Sequence, residues 1–127
     1  MKSLRAKIDT VPSEISNFKH LEELNVAYCG IKHFSSEIAE LKNLKRFNLL
    51  HNQLSVLPDD FCNLKSLVEL NLSGNYLSAL PECICDLKEL RFLPASYSEG
   101  TNHLDSSEYF RIKACLPNCS FRIRQIE

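Results

Sequence analysis

The side chains best suited to chemistry in this 127-residue chain are its six cysteines and four histidines. Two cysteine pairs have short spacings, Cys83-x-Cys85 and Cys115-x3-Cys119. Thiolates grouped in this way can hold a metal ion or react with electrophiles. The x3 spacing is not the tight knuckle that zinc sites favour. A metal-binding or thiol-reactive protein that uses these four cysteines is therefore the alternative function.

A cysteine nucleophile would need a histidine beside it as a base. The histidines are predicted to lie on different faces of the molecule, and no cysteine is predicted next to His51. They are His20, His33, His51 and His103. The sequence therefore predicts that the chain is not an enzyme.

The elements that position these residues are clearest in the segment 67–89. Leu70 and Leu72 alternate with polar residues, which is the period of a half-buried strand. Asn75 marks a turn, and apolar residues three apart from Ile84 onward indicate a short helical turn. A segment this short cannot bury so many aliphatic side chains alone, so it needs similar segments on either side.

The chain supplies those neighbours, because the same pattern recurs every 23 residues. Leu24, Phe47 and Leu70 hold equivalent positions in successive copies. Full copies cover residues 21–43, 44–66 and 67–89, with an N-terminal half-repeat or cap at 1–20 and a degenerate repeat and C-terminal cap at 90–127. This pattern resembles the leucine-rich-repeat family, with its motif L-x-x-L-x-L-x-x-N/C-x-L followed by a turn and a short helix.

The resemblance implies one domain with an α/β fold, a short curved solenoid. A parallel sheet would line its concave side, and short helices or turns its convex side. Asn52 and Asn75 would hydrogen-bond backbone groups that turn away from the sheet, and Cys29 and Ser98 fall in the same column.

The residue pattern of the C-terminal segment predicts a cap made of a helix and a strand. Asp105 with Glu108 three residues later indicates a helix start, and Leu116 followed by Pro-Asn indicates its end. Alternation over residues 119–126 predicts a last strand. The cap is similar to the closing cap of small bacterial leucine-rich-repeat proteins.

The cysteine positions favour reduced thiols. Cys62 and Cys85 share a column of small residues, where a free cysteine can serve as a compact apolar side chain. Cys83 and Cys85 lie inside a repeat, whereas extracellular members of the family usually carry disulfides in flanking caps. The N-terminus also has no apolar stretch after its charges, as a signal peptide would. We therefore expect a reducing cytoplasm, that of a host cell if the chain is a bacterial effector.

Charge and hydrophobic composition indicate which classes of partner the chain is not expected to bind. A net charge of −1 gives no bias toward nucleic acid or anionic lipid. No apolar run approaches the roughly 18 residues of a membrane span. The sequence predicts no nucleic acid, membrane or cofactor as a partner.

The residues between the inward apolar positions of each strand point to the concave face. They form four columns, namely Glu23, Arg46, Glu69, Phe92; Asn25, Asn48, Asn71, Pro94; Ala27, Leu50, Ser73, Ser96; and Tyr28, His51, Gly74, Tyr97. Exposed aromatic residues are typical of interface hot spots. Whether the asparagine column serves recognition or stabilises the sheet stays open. The candidate protein-binding residues are Tyr28, Arg46, Asn48, Leu50, His51, Glu69, Asn71, Phe92 and Tyr97.

The resemblance implies a non-catalytic module that binds one folded protein through this face, as a monomer on its own. Some members of the family mask enzymes, as ribonuclease inhibitors do. Inhibition or scaffolding of an enzyme, by a bacterial effector or a regulator of one, is the specific expectation.

Overall fold

The computed structural model describes the backbone of residues 2–3 and all of residues 8–96 and 102–123. Within these ranges the strands are β1 (Lys2–Ser3), β2 (Thr10–Val11), β3 (Glu23–Asn25), β4 (His33–Phe34), β5 (Arg46–Asn48), β6 (Glu69–Asn71), β7 (Phe92–Pro94) and β8 (Ser120–Arg122). The helices are the 3-10 turns η1 (Ser13–Asn17), η2 (Ser36–Glu40), η3 (Asp59–Asn63) and η4 (Glu82–Asp86), and the α-helix α1 (Ser106–Cys115). None of these helices is long and apolar enough to cross a membrane.

Six strands form one parallel sheet in the order β1-β3-β5-β6-β7-β8, and β2 pairs with β4 in a smaller parallel sheet. The register joins residues 23 apart, so that Leu24 pairs with Phe47 and Phe47 with Leu70. Leu93 continues the row and pairs with Phe121 of β8. The parallel sheet and the short solenoid predicted from the repeat are confirmed.

The predicted outer helices are single 3-10 turns. Three of them follow a proline, at positions 12, 58 and 81, and the other follows Ser35. Proline has a backbone angle suited to a helix start, and its missing N–H needs no partner there. Each turn buries one large apolar residue, and these are Ile15, Ile38, Phe61 and Ile84.

One hydrophobic core runs through all the repeats, from Val11 to Ile123. At its centre, the rings of Phe47 and Phe61 stack with centroids 5.4 Å apart. Phe34 meets Phe61 edge-on at 4.9 Å. Phe18 lies 23 residues before the buried Leu41, but its side chain is 44% exposed at the end of η1.

Buried asparagines bind the backbone where the chain leaves each strand. The side chain of Asn52 accepts hydrogen bonds from the N–H groups of Cys29 and Ile31, both at 3.0 Å. Its amide nitrogen donates to the carbonyls of Val26 and Leu49, also at 3.0 Å. The residue thus satisfies four backbone groups in two successive repeats, as the sequence predicts.

The last position of this asparagine ladder is not the predicted one. The 23-residue spacing from Asn75 points to Ser98, which lies outside the described residues. Asn102 fills the position instead: it accepts from the N–H of Leu77 at 2.8 Å and donates to the carbonyl of Leu72 at 2.9 Å. A four-residue insertion in this repeat therefore moves the ladder residue along the chain without losing its function.

The C-terminal cap begins as the sequence predicts. The carboxylate of Asp105 accepts from the Ser107 hydroxyl and from the N–H of Glu108, and both bonds hold the pKa of Asp105 below its usual value. Arg111 pairs with Glu108 at 2.8 Å and also donates to the carbonyl of Leu80 at 3.0 Å. The bond to Leu80 attaches α1 to the third full repeat.

Two disulfides correct the expectation of reduced cysteines. Cys62 of η3 bonds to Cys83 of η4, and Cys85 of η4 bonds to Cys115 at the end of α1. Cys83 lies 21 residues after Cys62, two short of the repeat, so the two side chains come from different columns of neighbouring turns. Their Cα atoms are 5.8 Å apart, within the range that a disulfide can bridge. The bonds link two convex turns and the cap.

Replacing Asn52 with alanine should destabilise the fold more than any exposed asparagine change. Its four buried hydrogen bonds predict a loss of about 4 kcal/mol in the free energy of unfolding. Asn48→Ala, which removes one bond to the N–H of Leu50 at a half-buried site, should cost about 1 kcal/mol. Urea unfolding of both variants checks this, and equal losses would contradict it.

Candidate functional site

The concave face has its predicted central row. Backbone pairing places Glu23 beside Arg46, Arg46 beside Glu69, and Glu69 beside Phe92. The Arg46 guanidinium lies 3.2 Å from the Glu23 carboxylate. A shallow depression of about 150 Å³ opens beside them and is bordered by Asn48 and Glu69. The row therefore carries both charge signs and, at Phe92, a ring that is 51% exposed.

In the asparagine column, the oxygen of each side-chain amide has a structural function. The side-chain oxygens of Asn25, Asn48 and Asn71 each accept from the N–H two residues later, at 3.0 or 3.1 Å. Such local bonds end a strand by offering the backbone another partner. The oxygens thus shape the turn, and the half-buried side chains keep their amide nitrogens available at the sheet surface.

The Tyr28 column forms a compact aromatic unit. The rings of Tyr28 and His51 stack with centroids 4.9 Å apart, and Tyr28 is 64% exposed. Both residues have positive φ angles, 59° and 53°, which non-glycine residues seldom adopt. Gly74 also has a positive φ, and a Cβ there would lie 2.6 Å from Nδ1 of His51. The glycine thus makes room for the His51 ring.

Leu50 and Tyr97 are the remaining predicted residues. Leu50 is half-buried and follows the strand on the same face. Tyr97, predicted to extend the Tyr28 column, lies outside the described residues.

Sequence reasoning missed Tyr76, which is 50% exposed. It borders a depression of about 280 Å³ together with Tyr28, His51 and Gln53. The available signal was an aromatic residue directly after the ladder residue Asn75, where the earlier repeat has Gln53.

The four cysteines of the alternative function do not form one site. Cys83 and Cys85 belong to two different disulfides, and Cys115 is the partner of Cys85. Cys119 is a buried thiol whose pKa is raised by burial, although the charges of Lys113 and Arg91 act against this rise. The prediction of a metal or thiol site built from these four side chains is therefore wrong. Across the described ranges, no group of three or more potential metal ligands comes together.

This architecture, a parallel sheet built from 23-residue units with one turn each, defines a solenoid repeat protein. The family profile described as "Leucine rich repeat" matches residues 19–77. A leucine-rich-repeat protein of Leptospira interrogans is 35% identical over 94% of this chain, with a TM-score of 0.84. The chain belongs to the leucine-rich-repeat family.

Two more distant structures share the fold. The internalin InlF of Listeria monocytogenes is 20% identical over 93% of the chain, with a TM-score of 0.74. TLR13, solved in a complex with ssRNA13, is 24% identical over 93% of the chain, with a TM-score of 0.75.

The chain covers only part of each of these structures: 30% of the Leptospira protein, 34% of the internalin and 16% of TLR13. No curated protein is similar enough to the chain to count as a match. Leucine-rich-repeat domains in general bind proteins, and this much of the function follows from the family.

Gly74→Ala should destabilise the fold through backbone strain and through collision with His51. The positive φ alone costs roughly 1–2 kcal/mol for a residue with a Cβ. In a His51→Ala background the collision disappears, so the cost of Gly74→Ala should fall to that strain. Unfolding free energies of the two single variants and the double variant test this, and strict additivity would contradict the contact.

Thiol counting distinguishes the disulfides from reduced cysteines. Unfolded protein under non-reducing conditions should show two reactive thiols, from Cys29 and Cys119, and six after reduction. In the folded protein both should react slowly because they are buried and burial raises the pKa of each. Six thiols before reduction, in protein made in an oxidising compartment, would contradict the pairing.

Proposed function

We propose that this chain is a non-catalytic module that binds one folded protein through its concave face. The observation that carries the proposal is the stacked pair of Tyr28 and His51, held in positive-φ conformations with one ring largely exposed. The described core does not require these rings, and the turn conformation that they share with Gly74 fixes where they lie. Rings that are already ordered lose little entropy on binding.

The rest of the concave face supplies what an interface needs around such an anchor. Phe92 offers a second exposed ring, while Arg46, Glu69 and the amides of Asn48 and Asn71 offer polar contacts. Aromatic residues are enriched at protein interfaces, and here they flank a polar centre that can form hydrogen bonds to the partner. A sheet of this width can bury on the order of 800 Å² per partner, which is a standard interface.

For the partner, we propose an enzyme that is masked or scaffolded by the chain. A rigid curved sheet can cover a convex surface, such as the rim of an active site, without moving parts. The bacterial setting is supported by the 35% identity to a leucine-rich-repeat protein of Leptospira interrogans. Affinity capture from the native cell, followed by activity assays of the captured protein, tests both points.

The compartment stays a prediction. The expectation of a reducing cytoplasm depended on reduced cysteines and on an N-terminus unlike a signal peptide, and no observation tests the compartment directly. If the bonds Cys62–Cys83 and Cys85–Cys115 persist in the cell, the first of these grounds is lost. Trapping the thiols with an alkylating reagent in intact cells, before lysis, distinguishes a reducing from an oxidising compartment.

Tyr28→Ala and Phe92→Ala should each weaken binding of the captured partner by about tenfold or more, as hot-spot aromatic residues do. Phe110→Ala is the matched control, because Phe110 is 64% exposed, like Tyr28, but lies on α1. Isothermal titration of purified proteins gives the affinities. If only Phe110→Ala weakens binding, the interface is on the cap and the proposal fails.

A further inference from the structure

Glu69 occupies an unusual position in the central row of the concave face. Its neighbours in the sheet are Arg46 on one side and Phe92 on the other. Arg46 is therefore between two carboxylates, but its Nη1 atom pairs with Glu23 at 3.2 Å. Glu69 is half-buried, and among the described residues no basic side chain pairs with it. Within this part of the chain, the row thus presents a glutamate without a basic partner.

Phe92 adds an apolar surface beside that carboxylate. Adjacent strands are about 4.8 Å apart, so the two side chains emerge next to each other on the same face. The ring is 51% exposed, and its other neighbour in the row is Ser120, which is too small to cover it. A planar cation on the ring could therefore reach the Glu69 oxygens at its edge.

We propose that Glu69 and Phe92 together bind an arginine side chain presented by the partner protein. This inference rests on the proposed function and names the chemistry that the concave face recognises. Guanidinium suits the site better than ammonium because it is planar, stacks on aromatic faces and bonds a carboxylate through two N–H groups. It is also less strongly hydrated, so it loses less on entering a half-buried site.

Glu23 has a supporting function in this proposal. Arg46 belongs to the same row and is a neighbour of Glu69 as well, so it is an internal competitor for the site. The pairing with Glu23 directs the guanidinium of Arg46 to the opposite side and leaves Glu69 open. Loss of the Glu23 charge should let the Arg46 side chain turn toward Glu69 and occupy the site in place of the partner's arginine.

The direct test is an NMR titration of the full chain with the blocked tripeptide Ac-Ala-Arg-Ala-NH2. We expect weak binding, on the order of millimolar, with shifts centred on Phe92 and the Glu69 backbone. The glutamine peptide Ac-Ala-Gln-Ala-NH2 should not shift these signals. Glu69→Gln and Phe92→Ala should each lower affinity for the arginine peptide by about fivefold or more.

Two further variants separate charge at the site from charge elsewhere. Glu23→Gln should lower affinity although the substituted residue need not touch the peptide, because Arg46 is released. Glu82→Gln, on the convex turn η4, removes the same charge and should leave affinity unchanged. Circular dichroism verifies that each variant is folded.

The proposal is overturned if the glutamine peptide binds as well as the arginine peptide, or if Glu69→Gln binds the arginine peptide like the unchanged protein. Its failure can be distinguished from failure of the proposed function. A captured partner that is lost with Tyr28→Ala but retained with Glu69→Gln would keep the concave face as the interface and remove the arginine site. Unchanged binding in both variants would remove the concave face itself.

Discussion

After the strand, the chain of each repeat turns with amides and carbonyls that face an apolar interior, and the buried side chains of Asn52, Asn75 and Asn102 satisfy many of them. The first full repeat has Cys29 at the equivalent position. Asn52 bonds to backbone groups of two successive repeats, so it joins neighbours as well as closing its own turn. Unpaired backbone groups at this depth would cost more than the packing around them could offset. The spacing of these residues therefore fixes the register of the sheet, and the register fixes which side chains share a row on the concave face.

This dependence explains what could be predicted from sequence. Positions 23 apart determine the strand pairing, so the row of Glu23, Arg46 and Glu69 and the burial of Leu24 and its equivalents could be derived without coordinates. A short helical turn after each strand also followed from the spacing of the apolar residues, although its 3-10 geometry did not. Prediction failed where the period is broken: the insertion that transfers the ladder function to Asn102 cannot be located by counting from Asn75.

The cysteines show a second limit. Cys62 and Cys85 share a column, which suggested a row of small apolar side chains, but each bonds outside that column. Pairing depends on which side chains face each other across neighbouring turns and across the cap, and a one-dimensional period does not contain that information. Register fixes which candidate residues share a row, whereas their exposure, the Tyr28–His51 stack and, among the described residues, the lack of a basic partner for Glu69 depend on how side chains pack against one another.

The two disulfides also affect what happens when a protease cuts the chain. One closes the segment from Cys62 to Cys83 and the other the segment from Cys85 to Cys115, so a single break within either loop leaves both fragments covalently joined. Between Cys62 and Cys115, only the peptide bonds on either side of Ile84 are outside both loops, and the Ile84 side chain is fully buried. A molecule nicked once within either loop would therefore migrate as one species until it is reduced.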